Sequence, residues 1–182
     1  MTRQTNEIII RQGDPTSPEC KIYVKALNDH LETLPDFQLL KGPKLGGEGS
    51  PRPHVLPPGS IFLYAEETGP NSSTPHTLGS LCLMPLYAGT PLFRGLPDTI
   101  TKAAEIKRMI VFPEQRGKGI ASKLIAEAER VAKTEMGCDY MLVETLWLLH
   151  GAQGLYRAAC FTERDVWGGY LPEDSVCFEK WL

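Results

Sequence analysis

The sequence predicts an α/β chain of the α+β type. Two observations carry that expectation. Residues 105–146 run strand, helix, strand, which implies a parallel pair joined by a crossover helix. Around this unit lie further strand-like runs separated by turn-rich stretches, one of which suggests a hairpin.

The elements follow in order. Residues 7–10 read as a first strand, ended by Gly13-Asp14-Pro15. Ser17-Pro18-Glu19 is a helix start, with Ser17 as N-cap and Pro18 at the first helical position. Ile22, Leu27, Leu31 and Leu34 then keep roughly helical spacing up to Pro35. Prolines and glycines punctuate residues 41–60, so a long loop is expected, either a substrate-side lid or a tolerated surface insertion. Residues 61–65 and 78–84 are strand-like, with the turn-rich stretch 67–75 between them. A second turn-rich stretch, 87–98, leads into residues 104–111. These alternate at first and then become continuously apolar, as in a strand polar on one face at its start and buried at its end.

Residues 117–135 turn helical. Ile120, Leu124, Ala128, Val131 and Ala132 share a face with Ile125 beside them, and Gly137 is the expected stop. Residues 140–146 read as a second buried strand, 151–159 as a short helix and 176–182 as a terminal strand.

The bulk numbers narrow the class. A length of 182 residues with 42% apolar content suits a single domain, 1–182. A net charge of −3 provides no global basic field for nucleic acid. The cysteines, Cys20, Cys82, Cys138, Cys160 and Cys177, are odd in number and lack C-x-x-C spacing. That argues against a disulfide scaffold or zinc site and fits inert thiols in a reducing cytosol. The first residues begin no secretory signal, and Ile8-Ile9-Ile10 is too short to span a membrane. A cytoplasmic protein with no membrane, nucleic-acid or metal partner is expected, with a nuclear or organellar location still open.

The chemistry concentrates in Val111-Phe112-Pro113-Glu114-Gln115-Arg116-Gly117-Lys118-Gly119-Ile120-Ala121. A buried strand ends, Pro113 prevents its continuation, and two glycines precede an amphipathic helix. Small residues let a phosphate approach the backbone, and the first helical turn offers unpaired N–H groups and the positive end of the dipole. Arg116 and Lys118 add charge. A pyrophosphate or similar dianion is expected here. The stretch is not a P-loop, and Gly117-Lys118-Gly119-Ile120-Ala121-Ser122 ends in Ser where a dinucleotide fingerprint needs a glycine.

Arg116-Gly117-Lys118-Gly119-Ile120-Ala121 resembles the Q/R-x-x-G-x-G/A signature of the GCN5-related N-acetyltransferase (GNAT) superfamily. Residues 105–111 resemble the strand before that signature. Leu155-Tyr156-Arg157-Ala158-Ala159-Cys160-Phe161 resembles the later L-Y-x-x-x-G-F element, and residues 178–182 the closing strand. The resemblance implies the GNAT fold: a central mixed, mostly antiparallel sheet with a parallel splayed pair and flanking helices. It also implies acetyl-CoA as co-substrate. Its pyrophosphate would lie on Arg116, Gly117, Lys118, Gly119, Ile120, Ala121 and Ser122, and its pantetheine arm along Met109, Ile110 and Val111. A neutral amine would attack the acetyl carbonyl directly. Tyr156 matches the tyrosine that commonly protonates the CoA thiolate and would also line the cofactor. Glu105 and Glu144 are the candidate bases.

The sequence departs from that pattern twice. Leu149 stands where Asn is frequent, seven positions before Tyr156, which weakens any side-chain cofactor contact there. Cys160 replaces the glycine of G-F, implying an altered turn with its backbone outside the left-handed region. The acceptor implied is a small-molecule primary amine, handled by a monomer or homodimer. A peptide acceptor and a non-catalytic CoA-binding module are the alternatives.

Overall fold

The structure is a computed structural model that describes residues 7–40, 56–68 and 76–182. Most of the expected Pro/Gly loop (41–55) and the turn at 69–75 lie outside the described residues.

Seven strands form one sheet among the described residues. They are β1 (Glu7–Gly13), β2 (Ile61–Thr68), β3 (His76–Tyr87), β4 (Lys102–Val111), β5 (Tyr140–Leu146), β6 (Thr162–Arg164) and β7 (Ser175–Trp181), and the sheet order is β1-β2-β3-β4-β5-β7-β6. Every pairing is antiparallel except β4–β5. The helices are α1 (Pro18–Glu32), α2 (Ile120–Thr134) and α3 (His150–Ala158). The expected mixed sheet with one parallel pair is therefore present, and α2 is its crossover.

Neighbouring residues of the central strands divide the core. Ala104, Ile106, Met141 and Val143 pack with Ile120, Leu124, Ile125, Ala128, Val131 and Ala132 of α2 and with Tyr156 of α3. Ala103, Tyr140 and Leu142 point to the opposite face, against Phe93, Leu96 and Trp167. On that second face α1 covers β2 and β3 through Cys20, which packs with Phe62, Tyr64 and Cys82.

Local chemistry explains the helix ends. Ser17 Oγ accepts from the Cys20 amide at 3.2 Å, with Pro18 opening α1 as expected. The helical spacing of Ile22 is real but its burial is not. Ile22 is 64% exposed, and α1 packs through Cys20, Tyr23, Val24 and Leu31. Gly137 turns left-handed (φ 65°) just beyond α2, as its position suggested.

The Cys160 expectation is corrected. Cys160 has φ 62° and occupies the left-handed position that a glycine would take. The Phe161 amide donates to Tyr156 O and the Cys160 amide to Arg157 O, both at 3.0 Å. This is the double closure of a Schellman motif, which requires a left-handed residue just past the helix. The turn geometry overrides the residue preference.

Candidate active site

The parallel pair parts soon after it forms. β4 and β5 are in register only at Ala104–Met141, Glu105–Leu142 and Ile106–Val143. β5 then follows β7 as far as Leu146, and β4 follows β3 as far as Val111. From Lys107 onward the β4 edge facing β5 has no ladder partner among the described residues. A fork opens there, lined by backbone donors and acceptors of the kind an extended ligand can pair with.

A bulge accompanies the fork. Ser80 pairs with Ile110, but Cys82 pairs with Lys107, so β4 carries one extra residue in that interval. Arg108 takes it up at φ 52°, unusual for a non-glycine residue. The alternation flips across it. Glu105 precedes the bulge on the face of Ala103, whereas Met109 and Val111 beyond it pack towards α2.

At the far end of β4, residues Pro113–Gln115 form a 3₁₀ turn that leads to α2. Gly117 and Gly119 have φ of 77° and 75°, and a Cβ built on either meets nothing within 4 Å. Both backbones are thus open to an approaching group. Gly119 caps α2 without a side-chain hydrogen bond, and the first bond across the start of the helix runs from the Lys123 amide to Gly119 O. The amides of the first turn precede that bond and point out of the helix end. Arg116 and Lys118 are exposed beside them. Arg116 Nε donates to Val111 O at 3.1 Å, and its outer nitrogen lies 2.9 Å from His30 Nε2 of α1. Burial, then the Arg116 charge, hold His30 below the usual imidazole range. This geometry fits a pyrophosphate: an accessible backbone, unpaired helical amides and two cations.

On the other side of the fork lies a charge cluster. Glu105 is fully buried, and Glu144 on β5 has 11% of its side chain exposed. Lys107 bridges them, with Nζ 3.6 Å from Glu105 Oε1 and 3.3 Å from Glu144 Oε2. Tyr170, between β6 and β7, and Ser175 of β7 reach one carboxylate each. Tyr170 OH donates to Glu105 and accepts from Lys107 Nζ at 2.5 Å. Ser175 Oγ, at the start of β7, donates to Glu144 Oε1 at 3.0 Å. Among the described residues the cluster brings two carboxyl side chains and one lysine together at the fork.

Tyr156 sits on the α2 face of the fork. It is 4% exposed, between Phe161 and Phe178, and its hydroxyl points at Met109 Sδ at 3.8 Å. Burial above all, and then the Glu144 charge, push its pKa well above the usual phenol value, so it remains a proton donor. Leu149 precedes α3 without a side-chain cap. Gln153 instead ties the helix to the end of β5, donating to Trp147 O at 2.8 Å and Leu146 O at 3.3 Å.

The fork thus gathers Glu105, Glu144, Tyr156 and Met109 of the sequence candidates, while Arg116, Gly117, Lys118, Gly119, Ile120, Ala121 and Ser122 form the loop and helix start at the end of β4. Ile110 lies between, buried in the strand. Lys107, Tyr170 and Ser175 were not anticipated as parts of this cluster. One signal existed: Lys107 stands two residues from Glu105 in an alternating strand and so shares its face. Among the described residues no group of His, Cys, Asp and Glu side chains could hold a metal ion. No helix among them is long and apolar enough to cross a membrane.

A splayed parallel pair with a glycine-opened helix start beneath it defines the architecture of acyl-CoA N-acyltransferases. Residues 54–160 match the model of the acetyltransferase (GNAT) family, and the chain belongs to that family of enzymes. It is similar to a solved Klebsiella pneumoniae protein described as an acyl-CoA N-acyltransferase. That match has a TM-score of 0.68 and 25% identity, covering 96% of this chain and 97% of that one. Arabidopsis thaliana NAA60, solved with acetyl-CoA, shares the fold at a TM-score of 0.60 and 17% identity, covering 97% of this chain and 100% of that one. So does FeeM, an N-acyl amino acid synthase from uncultured soil microbes, at 0.57 and 12%, covering 97% and 92%. No curated protein matches the chain.

Proposed function

We propose that this protein transfers the acetyl group of acetyl-CoA to the primary amine of a small molecule by direct attack. The observation that carries the reading is the charge cluster at the fork. Glu105 and Glu144 meet at Lys107 where the parallel strands part. An entering ammonium finds a carboxylate there to take its proton.

The roles follow from position. Gly117, Gly119 and the first-turn amides of α2 receive the pyrophosphate, assisted by Arg116 and Lys118. The β4 edge from Met109 to Val111, which has no ladder partner on the β5 side among the described residues, aligns the pantetheine arm. Glu105 is the base and Glu144 supports it electrostatically. Tyr156, kept protonated by burial, gives its proton to the departing thiolate. The neutral amine forms a bond to the acetyl carbon, the carbon–sulfur bond breaks, and CoA leaves as the thiol, while the proton shed by the acylated nitrogen restores the Tyr156 hydroxyl.

The acceptor side favours a compact amine over a peptide. Gly168 lies so close to the 91–96 segment that a Cβ would stand 2.7 Å from Leu92 O. Its amide donates to Arg94 O at 3.2 Å, and Trp167 packs edge-on against Tyr170 with ring centroids 5.1 Å apart. This packed lip, which brings Tyr170 onto Glu105, supports a compact acceptor. The test is thiol release from acetyl-CoA with a panel of small amines and of peptides with unblocked N-termini. Turnover of small amines is expected, and faster turnover of the peptides would reverse the acceptor assignment.

A further inference from the structure

Tyr170 has no part in the scheme above, yet its hydroxyl is hydrogen-bonded to the base. Glu105 is completely buried, whereas Tyr170 is partly exposed. The donor roles at its hydroxyl are fixed by chemistry. An ammonium only donates and a carboxylate only accepts. Lys107 Nζ, at 2.5 Å, therefore donates to the Tyr170 oxygen, and the Tyr170 hydrogen is directed at Glu105. The hydroxyl is a ready link in a proton wire ending on the buried carboxylate.

We propose that Tyr170 is a catalytic residue that relays the acceptor's proton to Glu105. The ammonium N–H bond breaks as an O–H bond forms on Tyr170, and the original Tyr170 O–H bond breaks as one forms on Glu105. The net change is ammonium plus carboxylate to neutral amine plus carboxylic acid, with the tyrosine regenerated. The Lys107 charge beside the oxygen opposes a doubly protonated phenol and so drives the transfer on to Glu105. Trp167, stacked edge-on, holds the ring in place. This inference rests on Glu105 being the base.

The test compares Tyr170→Phe and Glu105→Gln with the wild type, by thiol release at pH 7. The probes are an alkylamine acceptor and its fluorinated analogue, whose weaker basicity delivers it already neutral. General-base relays are worth about a hundredfold or more in rate. Tyr170→Phe should lose about that factor in kcat with the alkylamine, keep its KM for acetyl-CoA, and recover most of the loss with the fluorinated amine. Glu105→Gln should behave the same way. An equal loss with both amines would assign Tyr170 a merely structural role and overturn the relay, as would no loss. Impairment of Glu105→Gln alone removes the relay and leaves the base assignment standing. A fully active Glu105→Gln removes both. Should Tyr170→Phe fail to fold, fluorotyrosine at 170 replaces it: the more acidic hydroxyl should shift the pH–rate profile, and an unchanged profile contradicts the relay.

Discussion

Lys107→Met removes an ammonium while keeping most of its methylene stem. Its consequences follow from three contacts: Glu105 at 3.6 Å, Glu144 at 3.3 Å and Tyr170 at 2.5 Å. Removing one partner of a buried ion pair costs about 3–5 kcal/mol, because the remaining charge stays buried. Lys107 and Glu144 keep 18% and 11% of their side chains exposed, so water softens the loss towards about 3 kcal/mol. For a chain of this size that lowers Tm by about 6–12 °C. Thermal unfolding of variant and wild type at pH 7 measures this. A variant as stable as wild type would refute the reasoning.

Other variants probe the turn, the loop and the acid. Cys160→Gly should stabilise the protein by about 0.5–1 kcal/mol, since relief of about 1–2 kcal/mol of left-handed strain exceeds the extra entropy of an unfolded glycine, and Cys160 is exposed. Chemical denaturation reads the gain, and Cys160→Ala should show none. Gly119→Glu places a side chain and a negative charge at the opening of α2, where φ is 75°. Calorimetric titration should detect no acetyl-CoA binding by this variant. Tyr156→Phe should lower kcat about a hundredfold while the ring stays packed between Phe161 and Phe178. In the wild type, the raised Tyr156 pKa keeps this acid protonated, so the pH–rate profile should show no fall below pH 10 due to it.

The part of the chain with local rules was legible in the sequence. β5 matches its expected bounds, and the buried face of α2 is the one its periodicity indicated. The cofactor loop was legible because proline, glycines and helix start lie within a few residues. What escaped depends on distant neighbours. The bulge at Arg108 carries no glycine or proline and arises from pairing between β3 and β4. β6 has three residues and exists only because β7 lies beside it. Tyr170 meets Lys107 across 63 positions, which no spacing rule connects. Cys160 escaped for the opposite reason: the residue preference was local, and the closure of α3 outweighed it.

The central claim is that the opening between β4 and α2 receives acetyl-CoA. Thermal unfolding with acetyl-CoA, ATP and NAD at matched concentrations tests it most directly. At a hundredfold excess over the dissociation constant, a ligand of the native state adds about 2.7 kcal/mol. For a chain of this size that raises Tm by about 5–11 °C. That rise is expected with acetyl-CoA and not with ATP or NAD. No shift with acetyl-CoA, or an equal shift with all three, would contradict it.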